Sequence, residues 1–178
     1  MGALLRLIER VSVASGETTA WLVVPLILAT VYDVGARYIF NAPTQWAYEI
    51  GYMVMGAHAL LGIAYTLREG GHIRIDFFSQ KFSQTNKAII DLVGYAVFVL
   101  PCLTWVTYAL WDYWLRAFRA DELSGQSAWN PVIWPFRLMF FVAFVLLILQ
   151  IVAEIIKAIL FLTGKRTRYE PEAVVETP

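Results

Sequence analysis

The stretch DVGARYIFNAPTQWAYE, residues 33–49, joins two apolar segments and places three charged side chains close to their junction. A helix needs about 20 apolar residues to cross the hydrocarbon core of a bilayer, and both flanking segments are long enough. Asn41 and Pro43 interrupt the helical pattern between them. The stretch therefore predicts a tight turn, at residues 41–45, between two membrane-spanning helices.

The composition of the whole chain also favours a membrane protein. Of its 178 residues, 59% are hydrophobic and only 16% are charged, whereas charged residues make up about 25% of a soluble domain. Lys plus Arg and Asp plus Glu number 14 each. Without an excess of positive charge, the sequence gives no reason to expect nucleic acid as a partner.

Four apolar segments predict an all-α integral membrane protein with four transmembrane helices. The predicted spans are residues 18–40, 46–67, 88–114 and 134–162. With their connections they form a single membrane domain, residues 1–164. Residues 165–178 are polar and contain proline, which predicts a disordered tail.

Residues 3–15 have an amphipathic pattern, in which leucines and Val11 lie opposite Arg6 and Arg10. The pattern predicts a short helix that lies in the membrane interface before the first span. An extension of the first transmembrane helix is an equally good interpretation.

The basic residues predict the orientation of the four spans. Most of them fall on the side that holds both termini, namely Arg6, Arg10, Arg68, Arg74, Lys81, Lys87, Lys165, Arg166 and Arg168. Because cytoplasmic loops carry the excess of Lys and Arg, both termini and the tail are predicted to be cytoplasmic, and residues 33–49 to lie at the outer face. Arg68 and Arg74 are placed to contact anionic lipid headgroups, and a purely topological role is an equally good interpretation.

Asp33, Arg37 and Glu49 are charged residues near the outer ends of the first two spans. Asp33 and Arg37 are four residues apart, hence neighbours on one helix face, and Arg37 and Glu49 lie at similar depth. A charge at the centre of a membrane helix costs about 2.5–3.5 kcal/mol, so the three are predicted to neutralise one another in one cluster. The cluster is either a structural joint, with a candidate subunit interface, or part of an ion path; the absence of a third polar helix favours the joint.

Small residues recur near one stripe of the second span, namely Ala47, Gly51, Ala59 and Gly62. Such a stripe allows the backbone of a neighbouring helix to approach closely. We therefore predict that this face of the second span packs against another helix.

A mixed-charge group lies in and beside the loop before the last span, and consists of Asp112, Arg116, Arg119, Asp121 and Glu122. The group is a candidate docking surface for a soluble partner, or is simply solvated. Near the far end of the last span, Glu154 and Lys157 are three residues apart. They are predicted to pair, or to reach the inner interface with their long side chains.

The chain has few residues that could carry out chemistry. His58 and His72 are its two histidines, and Cys102 is its one cysteine. A haem held by two histidines needs both at matching depth on different helices, and His72 lies in a loop, so His58 is predicted to be a hydrogen-bonded packing residue. The sequence has no nucleotide-binding glycine motif and no catalytic triad pattern. We expect no enzyme activity, no cofactor, no metal site and no substrate-binding residues.

Three pieces of the sequence, in this order, resemble the DctQ-like small membrane subunit of tripartite ATP-independent periplasmic (TRAP) transporters. They are RYIFNAPTQWAYE at residues 37–49, GHIRID at residues 71–76 and WPFR at residues 134–137. The second piece forms a predicted cytoplasmic loop with Gly71, His72, Arg74 and Asp76. Family members often carry two adjacent acids after the tryptophan, whereas here Tyr48 precedes Glu49.

The resemblance implies a bacterial inner-membrane protein beside a large, many-helix, DctM-like permease subunit. In this family the large subunit carries the substrate and coupling sodium ions, and a periplasmic binding protein delivers the substrate, usually an organic anion such as a carboxylate. The small subunit is implied to stabilise the large one and to help dock the binding protein. The alternatives are a haem-free membrane anchor of a redox complex and a small autonomous transporter.

Overall fold

The computed structural model describes residues 2–69 and 83–165, which fold into four long helices. These are α1 (Gly2–Ile39), α2 (Trp46–Arg68), α3 (Gln84–Arg119) and α4 (Trp134–Leu162). Each is long and apolar enough to cross a membrane. The prediction of an all-α membrane protein with four transmembrane helices is confirmed.

Two of the helices begin earlier than the predicted spans. α1 is continuous from Gly2, so residues 3–15 form its first turns and not a separate short helix, in agreement with the second interpretation of this segment. α3 begins at Gln84 because the Ser83 hydroxyl caps it by accepting a hydrogen bond of 3.3 Å from the amide of Asn86.

Two predicted segments lie outside the described residues. They are the loop with Gly71, His72, Arg74 and Asp76 and the tail after Lys165. The division of the chain into a membrane domain and a disordered tail therefore stays a prediction, as does the orientation of the termini.

α4 is the central helix, and α1, α2 and α3 all contact it. α1 and α2 also pack against each other as a hairpin. The most buried positions of α4 include small residues, and Ala143, Ala153 and Ala158 are at most 2% exposed. Small side chains let membrane helices approach closely, and this packing takes the place of the hydrophobic force that holds soluble bundles together.

α3 changes its helical form part-way along. Its segment Gly94–Val99 is a π-helix, and Pro101 follows in the α-helical segment Leu100–Arg119. Proline has no amide hydrogen, and its ring clashes with the carbonyl one turn earlier in an α-helix. The wider π-helical turn directly before Pro101 provides the room that this ring needs.

A chain of polar contacts joins α1 to α4 near the end of the molecule that holds the N-terminus. The buried Ser12 hydroxyl donates to Gln150 Oε1 at 2.8 Å, and Gln150 Nε2 donates to Glu154 Oε1 at 2.8 Å. Lys157 Nζ lies 2.9 Å from Glu154 and 3.0 Å from Glu9. The predicted pairing of Glu154 with Lys157 is confirmed, and Glu9 extends it to α1.

Two glycines allow close contacts that the sequence pattern did not indicate. A Cβ atom at Gly16 of α1 would lie 2.5 Å from Cγ of Tyr65 on α2. A Cβ atom at Gly56 of α2 would lie 3.0 Å from Cζ of Phe136 on α4. Both glycines sit where a ring from a neighbouring helix crosses the backbone.

We predict that Gly16→Leu destabilises the protein by about 1–3 kcal/mol, because the added side chain overlaps the Tyr65 ring and separates α1 from α2. Unfolding in detergent, followed by tryptophan fluorescence, measures the change. Gly35→Leu is the matched control on the same helix, since a Cβ atom there meets nothing within 4 Å. Equal stability of the two variants would contradict the prediction.

Candidate functional site

The turn between α1 and α2 is closed by Asp33. One carboxylate oxygen of Asp33 accepts hydrogen bonds from the amide of Thr44 at 3.0 Å and from its hydroxyl at 2.5 Å. The other accepts from Arg37 at 2.8 Å. Asn41 adopts φ = 51°, a left-handed conformation that Asn tolerates better than most residues. The predicted turn is therefore present, and Asp33 and Arg37 are paired as predicted.

Glu49 is not part of this pair. Its side chain is fully buried and accepts a hydrogen bond from the Ser127 hydroxyl in the loop between α3 and α4. Glu49 and Gly51 are two positions apart, about 200° around the helix, and Gly51 lies on the side of Arg37. Because Glu49 points away from Arg37, the predicted cluster of three charges is wrong in its third member.

Glu49 leaves one hydrogen-bonding atom unused at this buried position. Its Oε2 has no hydrogen bond of good geometry within the described ranges, and the Tyr52 hydroxyl, one turn further along α2, lies within hydrogen-bonding reach of the Glu49 side chain. A buried polar group without a partner costs about 1–3 kcal/mol. The Ser127 contact is therefore important to the stability of this end of α2.

A groove of about 450 Å³ lies between α1 and α2 at the turn end of the molecule. Its lining includes Asp33, Arg37, Ala47, Gly51, Tyr52 and Met55. Met55 is 62% exposed, so the groove opens to the outside. A Cβ atom at Gly51 would meet nothing within 4 Å among the residues that the structure describes.

The predicted small-residue stripe runs along the α1–α2 junction. Ala47 and Gly51 line the groove just described, and Ala59 and Gly62 line a second one of about 350 Å³ further along. A Cβ atom at Gly62 would lie 3.6 Å from Thr19 of α1, an ordinary packing distance. Packing of Gly51 and Ala59 against a further helix stays a prediction.

His58 lies in the second groove and bonds to the backbone of α1. Its Nδ1 is 2.9 Å from the carbonyl oxygen of Thr19, so Nδ1 carries the hydrogen and donates it. The prediction of a hydrogen-bonded packing histidine is confirmed. Within residues 2–69 and 83–165, no three His, Cys, Asp or Glu side chains come together in a metal-binding arrangement.

The loop between α3 and α4, residues 120–133, is fixed to the membrane helices by an ion pair. The two terminal nitrogens of the Arg137 guanidinium, Nη1 and Nη2, donate to Glu122, at 2.6 and 2.5 Å. The Arg137 side chain is only 10% exposed, and its guanidinium lies 3.8 Å from the centre of the Tyr113 ring. Bidentate pairing and stacking on an aromatic ring are contacts that arginine makes and lysine does not.

Hydrogen bonds within the loop hold its first and last segments together. The amide of Ser124 donates to the carbonyl of Pro131, and the amide of Ile133 to the carbonyl of Glu122, each at 2.9 Å. The Asn130 side chain accepts from the amide of Gly125 at 2.7 Å. With the Ser127 contact to α2, these bonds give the loop a defined shape over the ends of α2 and α4.

The mixed-charge group is divided by this arrangement. All five members are exposed, but Glu122 is held by its ion pair with Arg137, whereas no such pair with Arg137 engages the other four, namely Asp112, Arg116, Arg119 and Asp121. Leu123 and Trp129 of the same loop are 50% and 47% exposed. The surface therefore combines charged and apolar groups, and its role in docking stays a prediction.

Three of the basic residues at the opposite end line a third groove together with Glu9 and Glu17. It has a volume of about 350 Å³ and includes Arg6, Arg10 and Arg68 in its lining. Arg68 forms an ion pair with Glu69. Contact of Arg68 with lipid headgroups stays a prediction, and Arg74 lies outside the described residues.

Two partners of acidic side chains were not predicted from the sequence, namely Ser127, which binds Glu49, and Arg137, which binds Glu122. Arg137 carried a usable signal, because a cation just inside an apolar helix requires an anion, and Glu122 lies in the loop directly before it. Ser127 carried none, since a serine in a polar loop is ordinary. Its role follows from the course of the loop alone.

We predict that Glu122→Gln lowers stability by about 1–3 kcal/mol, because it leaves the mostly buried Arg137 without its anion. Asp121→Asn is the matched control: it removes the same charge from the adjacent, exposed residue and suits the φ of 44° there. Thermal unfolding in detergent compares the two. An equal loss in both variants would show that the loop charge matters and the ion pair does not.

The chain is similar to known proteins along most of its length. The chain matches the family described as tripartite ATP-independent periplasmic transporters, DctQ component, over residues 26–161. It is also similar to the sialic acid TRAP transporter small permease protein SiaQ of Vibrio cholerae serotype O1, with 29% identity over 75 residues. That match covers 42% of this chain and 42% of the relative, less than half of its length. No solved structure matches the chain significantly.

The family match covers well over half of the chain. It includes the turn with Asp33, all of α2 and α3, the loop with Ser127, and α4 up to its last residue but one. Four membrane-spanning helices agree with a multi-pass protein of the bacterial inner membrane. This chain belongs to the DctQ family, the DctQ component of the tripartite ATP-independent periplasmic transporters.

Proposed function

We propose that the chain, as a small permease subunit, supports sodium-coupled uptake of an organic anion such as a carboxylate, together with a large permease subunit and a periplasmic binding protein. The family match over residues 26–161 carries this proposal. The name of the Vibrio relative, which gives sialic acid as the substrate of that transporter, agrees with an organic acid. In this division of labour, substrate and ions are bound by the other subunits.

The small subunit stabilises the large one in this proposal. Internal bonds that fix the helices support such a role. Asp33 fixes the turn between α1 and α2, and the contacts of Ser12 and Glu9 fix α1 against α4. A subunit whose helices are joined by such contacts is suited to support a larger neighbour.

The loop between α3 and α4 docks the binding protein in this proposal. Both termini are then cytoplasmic, which the distribution of Lys and Arg supports, and the loop faces outward. Arg119 at the end of α3 adds exposed charge beside the loop, and Trp129 gives the loop exposed apolar area. The hydrogen bonds of Glu122 and Ser127 already order the loop. Less conformational entropy is therefore lost when the binding protein docks.

Reconstitution tests the function as a whole. Proteoliposomes that contain this chain, the large permease subunit of the same transporter and its binding protein should take up an organic acid when a sodium gradient is imposed. We expect uptake to fall to background when any one of the three is left out. Uptake by this chain alone, or undiminished uptake without it, would overturn the proposal.

We predict that Arg119→Glu raises the concentration of binding protein needed for half-maximal uptake, by about threefold to tenfold, because charges at the rim of an interface steer association. Lys165→Glu makes the same change at the opposite end of the molecule and should leave that concentration unaltered. Uptake titrated with binding protein at low and high salt gives the measurement. The difference between the variants should shrink at high salt, and a difference that salt leaves unchanged would speak against steering.

A further inference from the structure

We propose that the groove of about 450 Å³ between α1 and α2 receives a transmembrane helix of the large permease subunit, and that this helix presents a hydrogen-bond acceptor to Arg37. The inference rests on the proposed function, which supplies the large subunit as a partner. It assigns one face of the α1–α2 hairpin as the joint between the two membrane subunits.

The shape of the groove is suited to a helix. Ala47 and Gly51 lie on one face of α2 and keep its backbone accessible, and nothing in the described chain comes within 4 Å of a Cβ atom at Gly51. Met55 continues the same face one turn further and is 62% exposed. A side chain of another helix therefore finds both space and apolar contact here.

The unused hydrogen-bonding groups in the groove are donors. Both oxygens of Asp33 already accept hydrogen bonds, from Thr44 and from Arg37. The guanidinium of Arg37 has several N–H groups, bonds to Asp33 through one nitrogen, and belongs to a side chain that is 53% exposed. The occupant must therefore bring acceptors.

This chemistry distinguishes the large subunit from other occupants. Lipid acyl chains offer no acceptor. A second copy of this chain, docked through the same groove in a two-fold dimer, would place Arg37 against Arg37 with the oxygens of Asp33 already engaged. A lipid with its phosphate at Arg37, near the end of α1, and an acyl chain along Met55 would also meet the unused donors; the small residues Ala47 and Gly51, typical of helix–helix contacts, favour a helix, and cross-linking distinguishes the two. A helix with a carboxylate, hydroxyl or free carbonyl satisfies both requirements.

Two leucine variants test the surface. The tagged small subunit is co-expressed with the large subunit, and the large subunit recovered in detergent is measured. We expect Gly51→Leu to lower recovery at least about tenfold, because leucine fills the groove. Gly35→Leu, also a site with no atom within 4 Å of a Cβ, lies outside the groove lining and should keep wild-type recovery. Equal recovery of both variants would overturn the inference.

A photo-crosslinking amino acid identifies the occupant. Placed at Met55, in the groove, it should form an adduct with the large subunit; placed at Phe98, which is 70% exposed on α3, it should not. An adduct of Met55 with a second copy of this chain, or with lipid alone, would overturn the proposed occupant.

Substitution of Arg37 tests the chemistry of the contact. Arg37→Ala should reduce recovery of the large subunit and the rate of uptake without changing which acid is taken up, and Arg37→Lys should restore part of both, since it keeps a cationic donor. Wild-type recovery of the large subunit with Arg37→Ala would contradict the proposal that the partner helix presents a hydrogen-bond acceptor to Arg37. If the wild-type small subunit itself fails to recover the large subunit, the proposed function fails; if only the groove variants behave as wild type, the function stands and the assigned surface is wrong.

Discussion

A polar group within the hydrocarbon core of a membrane has no water to bind and needs a partner inside the protein. α4 meets this requirement near both ends. Arg137 is bound by Glu122 and lies over Tyr113, while Gln150 and Lys157 are bound from α1. These bonds fix α1, α3 and the loop before α4 relative to α4, and the Ser127 contact of Glu49 joins α2 to the same loop.

The outer side of the α1–α2 hairpin is arranged differently. Both carboxylate oxygens of Asp33 accept hydrogen bonds, from Thr44 and from Arg37. Arg37 bonds to Asp33 through one nitrogen, and its side chain is 53% exposed. Ala57 and Ala64 of α2 are at most 2% exposed, and Gly56 lies against Phe136 of α4, whereas Gly51 borders open space. One side of α2 is therefore packed against the chain itself, whereas the other borders free space and the unused hydrogen-bond donors of Arg37. Such a face is suited to contact with another protein.

Contacts close in sequence could be predicted, and those that depend on loops could not. The four spans, the turn and the Asp33–Arg37 pair follow from helical periodicity and span length, which act locally. The partner of Glu49 lies 78 residues away, and its choice depends on the rotation of α2 and on the course of a loop. Similarly, the need for glycine at position 16 arises from a ring on another helix, which the amino-acid pattern around it does not encode.

α2 joins the outer loop to the groove. Glu49, bound by Ser127 of the loop, and Gly51, beside the groove, are about 3 Å apart along the helix axis and point in nearly opposite directions. A loop displacement that breaks the Ser127 contact leaves a buried carboxylate oxygen unsatisfied, at a cost of about 1–3 kcal/mol. The loop and α2 are therefore more stable moving together than apart. A protein docked on the loop and a helix seated in the groove would therefore both act on α2.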